Sequence, residues 1–254
     1  MTTMIEKPLF EFVLGLADDQ LILGHRLSEW TGRAPVLEEE LALPNIALDL
    51  IGAARSLYQY AGVIEASGRD EDQLAYLREA SQYRNLLLAE LPNGDFALTM
   101  ARLVLYATFM TPYWEALSGS SDTTLSAIAA RCVKESRYHV RHASQWLIRL
   151  GDGTAESQAR AQTAIDELWP FTGELFEMAP AERSLIAAGI AIERSGLEPG
   201  WDRAIATVLA EATLAKPRDG WMQSGGRLGR HTEHLGHLLA ELQHLQRAYP
   251  GATW

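Results

Sequence analysis

Cysteine is almost missing from this sequence: Cys132 is the single one in 254 residues. That excludes an intrachain disulfide and any zinc site built on paired cysteines. Cys132 lies between Ala129 and Val133 on an apolar face and reads as a small core hydrophobe, not a nucleophile. Long apolar runs are missing too, and none approaches the ~20 residues of a membrane span. Positive charge is scarce, with 22 Lys and Arg against 33 Asp and Glu and a net charge of -11. Such a surface repels phosphate backbones, which argues against nucleic-acid binding. No glycine loop follows a strand, and no serine sits in a nucleophile elbow. The first residues carry acids and a proline but no small-residue cleavage site. No signal peptide is expected, and the cytoplasm is the expected compartment.

Helical periodicity fills most of what remains. Phe10, Val13, Leu14, Ala17, Leu21 and Leu27 mark a first helix, closed near Gly32-Arg33-Ala34-Pro35. A second runs from about Glu38 to Ala66, with Ile46, Leu50, Ala54, Leu57, Ala61 and Ile64 in one stripe and Pro44 as a bend. A third is expected near Asp72 to Leu91, and a fourth from Phe96 to Leu117 with Pro112 inside it. Asp122 caps a fifth, ended by Gly151-Asp152-Gly153, and a sixth covers Ala155 to Phe176 across Pro170. Residues 178–198 look irregular, with Ile190-Ala191-Ile192 as an extended piece. Pro199 opens a segment reaching from Trp201 to Ala215, and a glycine-rich loop spans Lys216 to Gly229. The last helix is expected from His231 to Tyr249, with Leu235, Leu238, Leu239, Leu242 and Leu245 inward. No repeat or linker divides the chain, so residues 1–254 are expected to form one all-α domain. The expected architecture is a bundle of long antiparallel helices with a few extra C-terminal ones.

A helical bundle offers one familiar kind of chemistry, a carboxylate and histidine metal site between its helices. A di-iron bundle needs a Glu from each of two helices and Glu-x-x-His from each of the other two. Residues three apart share a face, so both side chains reach one metal. The literal Glu-x-x-His here is Glu241-Leu242-Gln243-His244. At 100° per residue, His244 points roughly 160° and Glu241 roughly 100° away from the leucine stripe, toward solvent or a partner. In the fifth helix Glu135 is followed at three residues by Tyr138, with His139 one position on. Glu135 and His139, four apart, read as a hydrogen-bonded pair. In the second helix Asp49 is followed at three residues by Gly52. The ligand pattern is therefore broken twice, and Asp49, Glu135 and His139 are its degenerate remnants. His231, His234 and His237 are spaced three and three, but a residue six on has rotated far from the first. Partner contact or a hydrogen-bond network explains them better than a metal does.

Several segments together resemble a known family. They are Leu27-Ser28-Glu29-Trp30; Leu41-Ala42-Leu43-Pro44-Asn45-Ile46-Ala47-Leu48-Asp49-Leu50-Ile51-Gly52; Arg84-Asn85-Leu86-Leu87-Leu88; and Leu91-Pro92-Asn93-Gly94-Asp95-Phe96. Further on come Lys134-Glu135-Ser136-Arg137-Tyr138-His139, Leu168-Trp169-Pro170-Phe171-Thr172, Gly229-Arg230-His231-Thr232-Glu233-His234-Leu235-Gly236, Leu245-Gln246-Arg247 and the terminal Trp254. In order and spacing they resemble the non-catalytic C subunits of bacterial ring 1,2-phenylacetyl-CoA epoxidases, over nearly the whole chain. Pro44 and His244 depart from that pattern.

The resemblance implies a ferritin-like fold and a complex with a homologous catalytic A subunit and other epoxidase subunits. It implies that the di-iron centre sits on the A subunit and not on this chain. Electrons would come from NADPH through a reductase subunit, for epoxidation of phenylacetyl-CoA in aerobic phenylacetate degradation. Two segments of such C subunits lie near the CoA ester, and by position they correspond to Gln82-Tyr83-Arg84-Asn85 and Arg183-Ser184-Leu185. Arg84 and Arg183 would pair with phosphates and Tyr83 would stack on a base or line the channel. The plainer alternative is a solvated helix residue at Arg84 and a loop charge at Arg183. Trp30, Tyr113, Trp114, Trp221 and Trp254 are candidates for the partner surface. Two rival readings stay open: an autonomous di-iron oxidase or hydroxylase using Asp49, Glu135, His139 and one or two further acids, and a helical adaptor with no tie to an enzyme.

Overall fold

The computed structural model describes residues 3–218 and 220–252; Trp254 lies outside the described residues. Two long helices open the chain, α1 (Thr3–Ser28) and α2 (Leu37–Glu65). Two short ones follow, α3 (Glu71–Tyr76) and α4 (Leu87–Glu90). A second long pair is α5 (Phe96–Leu117) and α6 (Thr123–Gly151), each started by an aspartate cap. Asp95 accepts from Leu98 N and Asp122 from Leu125 N, both at 2.9 Å. Then come α7 (Ala155–Leu168), α8 (Pro180–Ala187), α9 (Glu198–Glu211), α10 (Glu233–Leu242) and α11 (His244–Ala248). No strand occurs among the described residues, so Ile190-Ala191-Ile192 is not the extended piece expected of it.

The four long helices make an antiparallel ring. Asp18 of α1 meets Tyr58 of α2, and Asp49 of α2 meets His139 of α6. Thr111 of α5 meets Ser136 of α6, and Gln20 of α1 meets Tyr106 of α5. Residues 12–24 of α1 are buried on every side, as is most of α5, because α7, α8 and α9 cover them. α2 and α6 keep one outer face each. This is the all-helical, ferritin-like arrangement, with the two hairpins joined by a long crossover.

That crossover, residues 66–95, replaces the expected third helix from Asp72 to Leu91. α2 ends beside the start of α6, where Tyr60 bonds Asp122; α5 begins at the other end, where Phe96 packs on Trp30 and Trp146. The connection must return along nearly the full length of a 29-residue helix, about 43 Å. A 20-residue helix climbs only about 30 Å. The chain therefore stops α3 at Tyr76 and proceeds mostly extended, interrupted by single turns at Ala80–Gln82 and α4.

Extended backbone in a core must find its hydrogen bonds elsewhere. Asp18 accepts from Arg84 N, Asp19 from Leu86 N and Glu174 from Leu87 N, each at 2.7 Å. Arg26 donates to the Glu90 carbonyl, Arg102 to that of Leu91, and Arg78 to those of Leu74 and Gln82. All six of these side chains are buried.

Other expected boundaries move for local reasons. Pro170 cannot donate to a helical carbonyl, so α7 ends at Leu168 and the chain tightens into turns at Trp169–Phe171 and Gly173–Phe176. Residues 180–187, expected to be irregular, form α8. α9 starts at Glu198 with Pro199 in its first turn and stops at Glu211, short of Ala215. The last helix breaks at Gln243, whose buried amide donates to Arg78 O and to Tyr83 OH at 3.0 Å. The break rotates α11 and leaves Leu245, expected inward, 48% exposed. Tyr113 and Trp114 are core residues and not surface anchors; Trp30 is half-buried on Thr99 and Trp221 is exposed.

Two outcomes follow from the crossover clamps. Asp18 also receives Arg78 and the Tyr58 hydroxyl, so Asp18→Ala strands a buried guanidinium and should cost about 3–5 kcal/mol in urea unfolding. His231 directs Nε2 at the Tyr83 carbonyl (3.0 Å) and Nδ1 at Glu90 (2.7 Å), two acceptors that both call for an N–H. Burial opposes the charge, but these bonds win and raise its pKa above 6.5. Its stabilisation is full below pH 6.5 and is lost as pH rises through the folded value. The urea midpoint should fall across that window, and in His231→Asn this part of the slope should vanish.

Candidate functional site

The centre of the ring is where a bundle of this kind would hold metal. α2 supplies Asp49 and α6 supplies Glu135 and His139. His139 Nε2 donates to Asp49 at 3.0 Å, so its partner lies across the helix pair and is not Glu135, as the four-residue spacing suggested. Glu135 is 3.8 Å from Arg131 on its own helix. Burial and the neighbouring Asp49 charge raise its pKa. From the opposite side α1 presents Gln20 and α5 presents Tyr106, joined at 2.6 Å by an amide-to-phenol hydrogen bond. Cys132 lines the same space as a thiol, its pKa pushed by burial to about 12. About 10 Å³ of open space remains among these side chains.

A carboxylate-bridged iron pair needs four carboxylates and two imidazoles. This centre holds two carboxylates and one imidazole, already bonded to each other in part. Where two helices would bring a glutamate each, they bring a neutral amide and a phenol. These residues do not fit a di-iron centre. Among the described residues no three His, Cys, Asp or Glu side chains are grouped to hold a metal ion. Tyr138 is 39% exposed and stacks on His142, so position 138 faces outward and the inward imidazole is the next residue.

A second location is a cavity of about 200 Å³ between α1, the crossover, α8 and the glycine loop. It is cationic: Arg84, Arg194 and Arg227 line it, against Glu11 and Glu182. Arg227 donates to Asp19 at 2.6 Å and to the carbonyls of Gly15 and Arg84. Asp19 nonetheless has its pKa raised to about 6, because burial outweighs the guanidinium. Arg194 donates to Glu182 through Nη2, while its Nε and Nη1 are buried without a protein partner.

Of the two CoA-ester segments inferred from sequence, only Arg84 lines this cavity. It is half-buried, with Nη1 on the carbonyls of Ser81 and Tyr83. Gln82 is exposed, its side chain accepting from Glu79 N in a turn cap. Tyr83 is fully buried, with Arg78 4.1 Å from its ring centre, so that ring has no face for a base. Asn85 is buried against Glu90. On α8, Arg183 and Ser184 are exposed beside Glu182, and Leu185 is core.

The remaining histidines separate. His231 is a crossover clamp, His234 and His237 are at or near the surface, and Glu241 and His244 are exposed. Sequence reasoning missed Asp18, Asp19, Glu90, Glu174, Arg194 and Arg227. One signal was available: Asp18-Asp19-Gln20 stands inside an otherwise apolar helix, where charges persist only if paired. Glu174 also receives Gly225 N and Gly226 N at 2.9 and 2.7 Å. A Cβ at Gly226 would lie 2.1 Å from the Asn85 carbonyl, so glycine is required for this loop to close on the crossover.

Comparison with known proteins gives the chain a family. The family described as phenylacetic acid catabolic protein matches residues 1–254. The chain is 45% identical over 246 residues to the C subunit of 1,2-phenylacetyl-CoA epoxidase from Escherichia coli (strain K12), covering 97% of this chain and 99% of that protein. With a complete family match and a relative this similar end to end, the chain belongs to the phenylacetic acid catabolic protein family.

Proposed function

We propose that this chain is the structural, non-catalytic subunit of a 1,2-phenylacetyl-CoA epoxidase, a multicomponent oxygenase of phenylacetate catabolism. The observation that carries the reading is the bundle centre. It has the helices of a di-iron oxygenase but neutral Gln20 and Tyr106 on two of them and a single inward imidazole. The same feature disfavours an autonomous oxidase built on Asp49, Glu135 and His139. The di-iron centre belongs to the catalytic A subunit, which this chain holds in shape, and the electrons reach it from NADPH through a reductase subunit.

The cationic cavity is the part of this chain that meets the CoA ester. Arg84, with Arg183 on the adjacent exposed helix, offers guanidinium donors to phosphate oxygens. Arg194 presents two buried donors with no protein acceptor. Tyr83 and Asn85 support this site from beneath by fixing the crossover, and Gln82 and Leu185 fix the turn and the helix that frame it.

Two experiments test the reading. Purified alone and loaded with ferrous iron, the chain should hold no stoichiometric metal, whereas co-expression with the catalytic subunit should give a stable complex whose iron follows that subunit. Two irons per isolated chain with oxygen turnover would overturn it. In the assembled enzyme, Arg84→Ala should raise the KM for phenylacetyl-CoA about tenfold with kcat little changed. An unchanged KM would remove Arg84 from the ester's path.

A further inference from the structure

One wall of the cationic cavity is a short helix attached differently at its two ends. α8 reaches the cavity through Glu182 and through Ala179, which precedes its first turn. Its far end is pinned to the turn between α5 and α6. Ser121 N donates to the Gly189 carbonyl at 2.9 Å, Ser121 Oγ to that of Ala188 at 2.9 Å and Ser120 Oγ to that of Ile190 at 2.8 Å. Gly189 has a φ of +71°, a left-handed bend that glycine adopts without strain. Leu185, near this end, is fully buried. The end at the cavity depends on one carboxylate. Glu182 accepts from Ala179 N at 2.7 Å and from Arg194 Nη2, and is itself buried. The Arg194 amide adds a weak 3.4 Å bond to the Met178 sulfur. α8 is thus hinged at Gly189 and latched at Glu182.

The latch uses little of its arginine. Arg194 is 1% exposed, with its guanidinium carbon 5.2 Å from the centre of the Tyr113 ring. Its Nε and Nη1 are buried without an acceptor, and the buried Tyr113 hydroxyl has no partner either. Buried donors left unmet are costly, and a bound group that brings acceptors removes the cost. Arg227, by contrast, is committed to Asp19 and two carbonyls. We propose that Glu182 stands in for a phosphate of the cavity's ligand, and that α8 swings open about Gly189 when the phosphate takes Arg194 from it. Moving Glu182 away from an empty cavity would leave a buried guanidinium unpaired, which is strongly unfavourable. An entering phosphate oxygen gives Arg194 a new charged partner and removes that penalty. Opening is therefore tied to arrival of the anion, and the wall stays shut without it. The proposal rests on the reading that this cavity meets the CoA ester; it adds the residue displaced, the residue that captures the anion and the segment that moves.

Two variants of the assembled enzyme separate this latch from a plain structural ion pair. Glu182→Gln can still accept from Ala179 N but no longer competes as a charge, so the KM for phenylacetyl-CoA should fall severalfold. Arg194→Met removes the capturing group and should raise that KM about tenfold. A pair that only held the fold would move both values the same way. In hydrogen exchange of the same two variants, the amides of residues 184–187 should exchange faster while the Ser121 amide, bonded at the hinge, keeps its protection. A KM raised in both variants or unchanged in both overturns the proposal, and so does equal loss of protection at Ser121. If Arg194→Met does not fold, Glu182→Gln decides alone, and any result but a lowered KM overturns the latch. Arg84→Ala tells the two failures apart. If it raises the KM while Glu182→Gln does not lower it, the latch falls and the CoA reading stands; if all three variants leave the KM unchanged, both fall.

Discussion

Backbone that crosses a protein interior outside a helix must have its polar groups met by side chains, and this fold is organised around that requirement. The crossover lies against α1 for most of its length. Its amides and carbonyls are met by Asp18, Asp19, Arg26, Arg78, Arg102 and Glu174, and by His231 and Gln243, which flank α10. An unmet buried amide or carbonyl costs roughly 1–3 kcal/mol, so the clamps together decide whether the crossover can be buried. Most are charged; Asp18 pairs with Arg78, Asp19 with Arg227 and Arg26 with Glu29, while Arg102 is held by carbonyls and the Asn93 amide oxygen. α10 and the glycine loop are held through the same groups, which ties the C-terminal third of the chain to the first hairpin.

The same economy explains the quiet centre of the ring. A metal site needs ionised ligands with unused lone pairs facing shared space. Here Asp49 and His139 face each other, Gln20 and Tyr106 face each other, and the space between is closed. Ionised groups lie a few turns away instead, on the crossover and around the cationic cavity, where they fix backbone. The helices of an oxygenase are thus retained while the interior chemistry has shifted from ligation to support. In this member of the phenylacetic acid catabolic protein family the buried polar groups hold backbone in place.

Much of this was legible in the sequence. The leucine stripes and the aspartate caps at Asp95 and Asp122 located the long hairpin helices, whereas the broken spacing at Gly52 and Tyr138 carries no information on the bundle centre, because both positions face outward. What stayed hidden depends on distances between helices. The run from Tyr83 to Leu91 is apolar enough for a helix, and only the length of the bundle forces it to extend. Gln243 breaks the last helix because of a carbonyl at Arg78, far away in sequence. Arg194 and Arg227 carry no local signature, since their role arises where four separate segments meet. Position 138 shows the limit of spacing arguments: the missing histidine would have pointed outward in any case.

The most direct measurement is anomalous scattering at the iron edge from crystals of the complex assembled with the catalytic subunit. The account predicts iron peaks only within that subunit, with Gln20 still bonded to Tyr106 and His139 still bonded to Asp49 in this chain. A pair of iron peaks among Asp49, Glu135 and His139 would contradict it.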